Sequence, residues 1–254
     1  DRLLEFPLGV FAIALATVIL PGLSRHHADQ SPEAFSATLD WALRLAAAIA
    51  IPAAVGLLVL AGPMIATLFN YGAFGGDDVR MARLSLMAYA LGLIAFTLVK
   101  VLAPGYFSRQ DMKTPVRIGV IAMLSNIVLN AVIVLPMVHF GVPGPHAGLA
   151  LATGLAAAIN AGLLYRGLRR TGVYVPGPGW GWLASRLLIG NLVMAAVVAW
   201  LAGDLGTWLE ASWHARALRL TLCVGAGAVA YIAVLLATGL RPRHLLSPPR
   251  ATVP

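Results

Sequence analysis

The chain has 254 residues, 59% of them hydrophobic and only 11% charged, with a mean hydropathy of +0.84. Soluble domains carry about 25% charged residues, so this composition excludes an ordinary soluble enzyme or binding module. The formal charge of +8 does not point to nucleic acid, because the basic residues fall in clusters between apolar runs, a pattern that suits loop retention and anionic lipid heads.

Seven spans of roughly 20 residues fit this length, so the expected class is an all-α polytopic membrane protein. The chain begins Asp1-Arg-Leu-Leu-Glu5 without an initiator Met, a basic n-region or a cleavage site, and it reads as the C-terminal portion of a longer protein. Residues 6–23 form the first expected span, closed by Pro21-Gly22. In the polar loop 24–40, Ser31-Pro32-Glu33 has the form of a helix start, since proline is tolerated at the first helical position. The second span covers 41–69, with Pro52 and Gly62-Pro63 as kink sites, and a glycine-rich acidic loop, 70–80, leads to the third at 81–103. Pro104-Gly105 is expected to stop that helix and Thr114-Pro115 to start the next, at 116–138. A turn from Phe140 to His146 precedes the fifth span at 147–165. The Pro- and Gly-rich linker 171–180 interrupts any helix and divides a unit 1–170 from a C-terminal unit 181–254. The latter holds a separable pair of spans, 181–202 and 217–239, and a basic, proline-rich tail. Trp208 and Trp213, between these spans, are assigned to the headgroup layer.

The sidedness is set by residues 100–117, a short turn with Lys100, Arg109, Lys113 and Arg117 opposed only by Asp111. Loops rich in Lys and Arg stay in the cytoplasm. Strict alternation then puts thirteen of the 18 basic residues inside, leaving Arg2, Arg80, Arg83, Arg216 and Arg219 outside. The C-terminus is accordingly expected inside.

No nucleophile–base pair, zinc spacing or nucleotide-binding loop is present, so no catalytic residue, metal or resident cofactor is assigned. Cys223 stands alone and forms no intrachain disulfide. Arg2 and Glu5 share a helix face at the positive end of the first span, where a guanidinium suits a phosphate or diphosphate; the competing reading makes both interfacial residues that meet no ligand. Asn126 and Asn130 lie four apart in the fourth span and Thr153 lies in the fifth; these oxygens suit a small cation or, as the favoured reading, helix-to-helix bonding. His26-His27 reads as a solvated pair, and Asp77-Asp78 as a solubility or topology feature rather than half of a metal site. Arg186 and Asn191 either snorkel or line a groove, and snorkelling is favoured.

The run from Lys100 to Pro115, Lys-Val-Leu-Ala-Pro-Gly-Tyr-Phe-Ser-Arg-Gln-Asp-Met-Lys-Thr-Pro, resembles the characteristic segment of the MurJ/MviN family, the lipid II flippases of the MATE-like superfamily. Residues 1–9, Asp-Arg-Leu-Leu-Glu-Phe-Pro-Leu-Gly, are similar to the start of that family's eighth span, and the segments 20–24 and 40–44 are similar to the family's pattern just after it. The likeness is loose after about residue 180. It implies a fourteen-span protein of two six-helix lobes plus a helix pair, with this chain supplying spans eight to fourteen and lacking the N-terminal lobe. The implied substrate is lipid II, the undecaprenyl-diphosphate-linked peptidoglycan precursor, carried from the inner to the outer leaflet of the bacterial inner membrane by alternating access. On this resemblance Arg2 and Glu5 belong to a cationic cavity, and the final helix pair borders a groove for the polyprenyl tail. Lys100, Arg109, Asp111 and Lys113 become a cytoplasmic gate, a role that competes with plain topology retention. A coupling cation is implied for some superfamily members and would draw on Asn126, Asn130 and Thr153. The rival readings are an exporter of another lipid-linked oligosaccharide, a MATE-type antiporter and, from another class, a membrane-embedded polyprenyl-phosphate transferase.

Overall fold

The computed structural model describes Gly9, residues 14–142 and residues 144–240. Arg2, Glu5 and the tail beyond residue 240 lie outside the described residues. The helices run in chain order as α1 (Ala14–Ala28), α2 (Pro32–Phe69), α3 (Gly76–Leu102), α4 (Pro104–Phe107), α5 (Lys113–His139), α6 (Pro145–Arg170), α7 (Trp180–Ala202), α8 (Leu205–Glu210) and α9 (Trp213–Ala237). Among the described residues six helices are long and apolar enough to cross a membrane: α2, α3 with α4, α5, α6, α7 and α9. The first expected span, 6–23, lies only partly within the described residues.

Local chemistry sets the boundaries. Pro32 opens α2 with Glu33 in the first turn, where the helix dipole favours a carboxylate. Asp78 stabilises the start of α3 by accepting from the Gly75 amide at 2.9 Å, and exposed Asp77 pairs with Arg80 at 3.3 Å. The acidic pair is thus accounted for locally.

Several expected boundaries move. Pro21 and Gly22 lie inside α1, which continues to Ala28. The loop 24–40 contracts to a tight turn, so that α2 enters the bundle as one helix of 38 residues. Pro104 does not end the third span: it removes one amide, but Phe107 bonds back to Ala103 and Ser108 to Pro104, and α4 prolongs α3. The chain turns instead at residues 108–112. Trp208 is fully buried in the bundle; its Nε1 donates to the Ala202 carbonyl at 2.7 Å, and the Arg219 guanidinium lies 4.8 Å from its ring.

Packing is organised on α2. Its first half joins α1, the end of α3, Tyr106 and the last turns of α6 in one buried cluster; its second half joins the start of α3 with α7, α8 and α9 in another. The α7–α9 pair is therefore seated against α2 through shared core. Helices α3 and α6 meet at Gly92 and Gly154, where a Cβ on Gly92 would lie 2.8 Å from the Gly154 Cα. Small residues let backbones approach this closely, which supplies the van der Waals contact that holds helices together in lipid. At one end of the bundle Arg216 is buried: Nη1 donates to the carbonyls of Ala66 and Asn70, and Nη2 to that of Leu209. It closes the C-terminal end of α2, where unsatisfied carbonyls carry partial negative charge.

The loops sort cleanly. The α1–α2 turn, Arg109 and the linker at Thr171–Val173 border one hollow, so the loops expected inside share one end. Residues 70 and 209 meet at the other, where His146 also contacts the Met81 carbonyl.

Candidate functional site

Among the described residues the most extensive polar arrangement is centred on Asp40, in the third turn of the long α2. Three donors converge on its Oδ1: the Tyr174 hydroxyl at 2.7 Å, the Trp180 Nε1 at 2.8 Å and the Gly177 amide at 3.2 Å. Its Oδ2 accepts from Arg44 Nε at 2.7 Å. Arg44 continues to the Pro178 carbonyl through Nη2, also at 2.7 Å, and its guanidinium lies 5.1 Å from the centre of the Trp180 ring. One turn earlier, Ser36 exchanges two hydrogen bonds with the backbone of Val175. Gly179, at φ +89°, makes the left-handed turn that lets the linker enter α7 with Trp180 in place. Burial, and then the Asp40 carboxylate, push the Tyr174 phenol well above its ordinary range. The group is fully paired and works as a latch between α2 and the segment that leads into α7.

Behind the latch lies an apolar hollow of about 780 Å³. Its walls come from α2 (Leu43, Ala47, Ile51), α3 (Ile94, Leu98), α6 (Ala158, Ala161) and the linker, whose Tyr174, Pro176 and Trp180 form one end. Buried polar groups on these walls are already engaged: Thr97 bonds to the Leu93 carbonyl of its own helix, and Tyr174 and Trp180 bond to Asp40. Ala158 and Tyr165 on its α6 side are exposed, so the hollow opens sideways. A second hollow of about 400 Å³ runs between α2 and α7 and shares Ala47, Ile51 and Trp180 with the first. On the other side of the latch a hollow of about 710 Å³ is lined by Glu33, Ser36, Trp41 and Arg44.

The residues singled out from the sequence fare differently. Arg2 and Glu5 lie outside the described residues. Asn130 Nδ2 donates to Asn126 Oδ1 along α5, Asn130 Oδ1 is buried without a partner, and Thr153 donates to the Leu149 carbonyl within α6. The described hydrogen bonds do not join Thr153 to the two asparagines. Of the basic turn, Lys100 and Lys113 are exposed, and Arg109 lines a hollow of about 250 Å³ with His26 and His27. Asp111 caps α5 by accepting from the Thr114 amide at 3.0 Å, and this bond draws its carboxyl below the ordinary carboxylate range. Asn191 does not snorkel: it is 5% exposed and lines the α2–α7 hollow, while Arg186 stacks 4.6 Å over Trp182.

The sequence alone gives Asp40 no role. The i,i+4 spacing of Asp40 and Arg44 at the edge of an apolar span is the latch's only local trace, because the other partners lie 134 to 140 positions away.

Comparison with known proteins gives a consistent result. A family model described as lipid II flippase MurJ matches residues 1–218. The chain is 49% identical over 245 residues to a probable lipid II flippase MurJ of Vibrio cholerae, covering 96% of this chain and 45% of that protein. It is 38% identical to the lipid II flippase MurJ of Burkholderia cenocepacia, covering 95% and 46% of the two. A solved structure of a lipid II flippase MurJ in an inward closed conformation superposes with a TM-score of 0.71 at 24% identity, over 92% of this chain and 44% of that one. The chain thus spans about half the length of the relatives it matches.

Proposed function

The chain belongs to the family of lipid II flippases named MurJ, and on that premise we propose that it is the C-terminal part of a flippase for an undecaprenyl-diphosphate-linked disaccharide-peptide. It is a multi-pass membrane protein of the bacterial inner membrane, a transporter rather than an enzyme. The observation that carries the substrate reading is the sideways-open hollow between α2, α3, α6 and the linker, whose buried polar groups are already paired. Such a surface offers hydrocarbon nothing to desolvate and offers a polar ligand no bond.

The physical task is to move a highly charged head through lipid. A charge at the bilayer centre costs on the order of 3 kcal/mol on insertion scales, so the head needs a protein cavity, whereas the isoprenoid tail stays in an apolar environment throughout. In this reading Arg2 and Glu5 meet the diphosphate head between the lobes, with guanidinium geometry replacing lost water bidentately. The tail rests in the sideways-open hollow. Rocking of the lobes presents the head to each side in turn. The turn holding Lys100, Arg109, Asp111 and Lys113 faces the cytoplasm and contacts the N-terminal lobe when the inner side closes. The linker 171–180 bounds the helix pair, and any coupling cation uses Asn126, Asn130 and Thr153.

The test is complementation by the full-length parent. It should restore growth and outer-leaflet exposure of lipid II in cells depleted of their own flippase. Arg2→Ala in that parent should abolish both while membrane insertion persists, and Arg2→Lys should restore them only in part. Normal growth of Arg2→Ala removes Arg2 from the mechanism, and failure of the wild-type parent removes the substrate.

A further inference from the structure

We propose that Trp180 is a partition that fixes how much hydrocarbon the tail seat accepts, with Asp40 and Arg44 as the residues that position it. The proposal rests on the reading of the larger hollow as an isoprenoid seat and deepens it. Two hollows, of about 780 and 400 Å³, meet along the same face of α2 at Ala47 and Ile51, and Trp180 is the side chain opposite that borders both. The indole is held from two directions. Its Nε1 donates to Asp40 at 2.8 Å, and the Arg44 guanidinium lies 5.1 Å from the ring centre while bonded to the same carboxylate. A ring fixed both by a hydrogen bond and by a cation over its face resists being pushed aside by an entering chain.

Both compartments present apolar walls. The larger has its buried polar groups engaged. In the smaller, Asn191 is 5% exposed, its Nδ2 donates to the Leu187 carbonyl and its Oδ1 is buried in the wall, so its amide is withdrawn from the hollow. Hydrocarbon meets no polar penalty on either side, and the indole between the compartments decides how far the tail reaches. This is a specificity feature, since it acts on the far end of the tail and touches no charged group of the cargo.

The experiment uses the full-length parent in nanodiscs and a ladder of farnesyl, heptaprenyl and undecaprenyl diphosphates. In the wild type, affinity should rise along the ladder and level off once the larger hollow is filled. Trp180→Ala joins the two hollows and should move the plateau to a longer member, tightening undecaprenyl diphosphate relative to heptaprenyl by about tenfold over the wild-type ratio. Trp180→Phe keeps a ring but cannot donate to Asp40, and its plateau should fall between those of the wild type and Trp180→Ala. A misfolded variant cannot gain affinity for a longer chain, so the expected result is not one that damage produces. Ala158→Phe, which fills the larger hollow from the α6 side, tells the seat apart from the partition. If it leaves all three affinities unchanged, the tail does not sit there and both readings fall. If it weakens binding while Trp180→Ala leaves the plateau in place, the seat stands and the partition is wrong.

Discussion

One oxygen of Asp40 accepts from a phenol, an indole and a backbone amide, all contributed by the segment between Tyr174 and Trp180. Removing it strands three buried or half-buried donors and leaves Arg44 without its counter-charge. Asp40→Ala should therefore destabilise the full-length protein by about 3 kcal/mol, as breaking a mostly buried ion pair does. Tyr174→Phe removes one donor and should cost about 1 kcal/mol. Thermal unfolding of the purified protein in nanodiscs reads both; an unchanged midpoint for Asp40→Ala would show that the linker is held by packing alone. The sequence presents Asp40 and Arg44 at hydrogen-bonding spacing on one helix but does not present their partners. Nothing local in Tyr174, Gly177 or Trp180 says that they turn toward a carboxylate more than 130 positions earlier. For the same reason Asn191 looks from the sequence like a residue seeking the membrane surface, and only the facing wall of α2 makes it a lining residue.

At the level of helices, the crossing of α3 and α6 is a backbone contact. A methyl group on Gly92 would lie 2.8 Å from the Gly154 Cα, and neither backbone can yield without parting the helices. Gly92→Ala should lower stability by about 1–3 kcal/mol, as overpacking does. Gly162→Ala, on the same α6 but with nothing within 4 Å of its added Cβ, should be neutral or stabilising by up to about 1 kcal/mol. Unfolding midpoints of the two variants, compared in one preparation, check the contrast; equal effects would mean that the crossing is not tight. Apolar runs located the six spans among the described residues because hydropathy is a property of composition. Breaks were less legible. Pro104 was expected to end a helix, yet it costs only one amide where the chain re-forms its bonds within a turn. Asp111, whose carboxylate caps α5, marks the true start of the next span better than the proline does.

For the molecule as a whole, the proposed sidedness puts the 108–112 turn in the cytoplasm and residues 140–142 outside. With Cys223, which is buried, replaced by serine in the full-length parent, Phe140→Cys should react with an impermeant maleimide in intact spheroplasts. Gln110→Cys should react only after permeabilisation, and the reverse pattern would invert every assignment of side. Charge distribution is what suggests this sidedness, and the structure adds that the loops expected inside gather at one end of the bundle. What the sequence left hidden were the hollows, since a cavity is a property of several helices and of none singly.

Arg216 has a bearing on biogenesis. The last carbonyls of α2 are met by a guanidinium that comes 150 residues later in the chain. When α2 leaves the ribosome and enters the bilayer, local donors from Asn70 and Tyr71 already reach its last carbonyls, but the Asn70 carbonyl must rest at the aqueous surface, hydrated. Only after α9 has been synthesised and inserted can the water be exchanged for arginine. The end of α2 is thus threaded long before α9 and finished only after it.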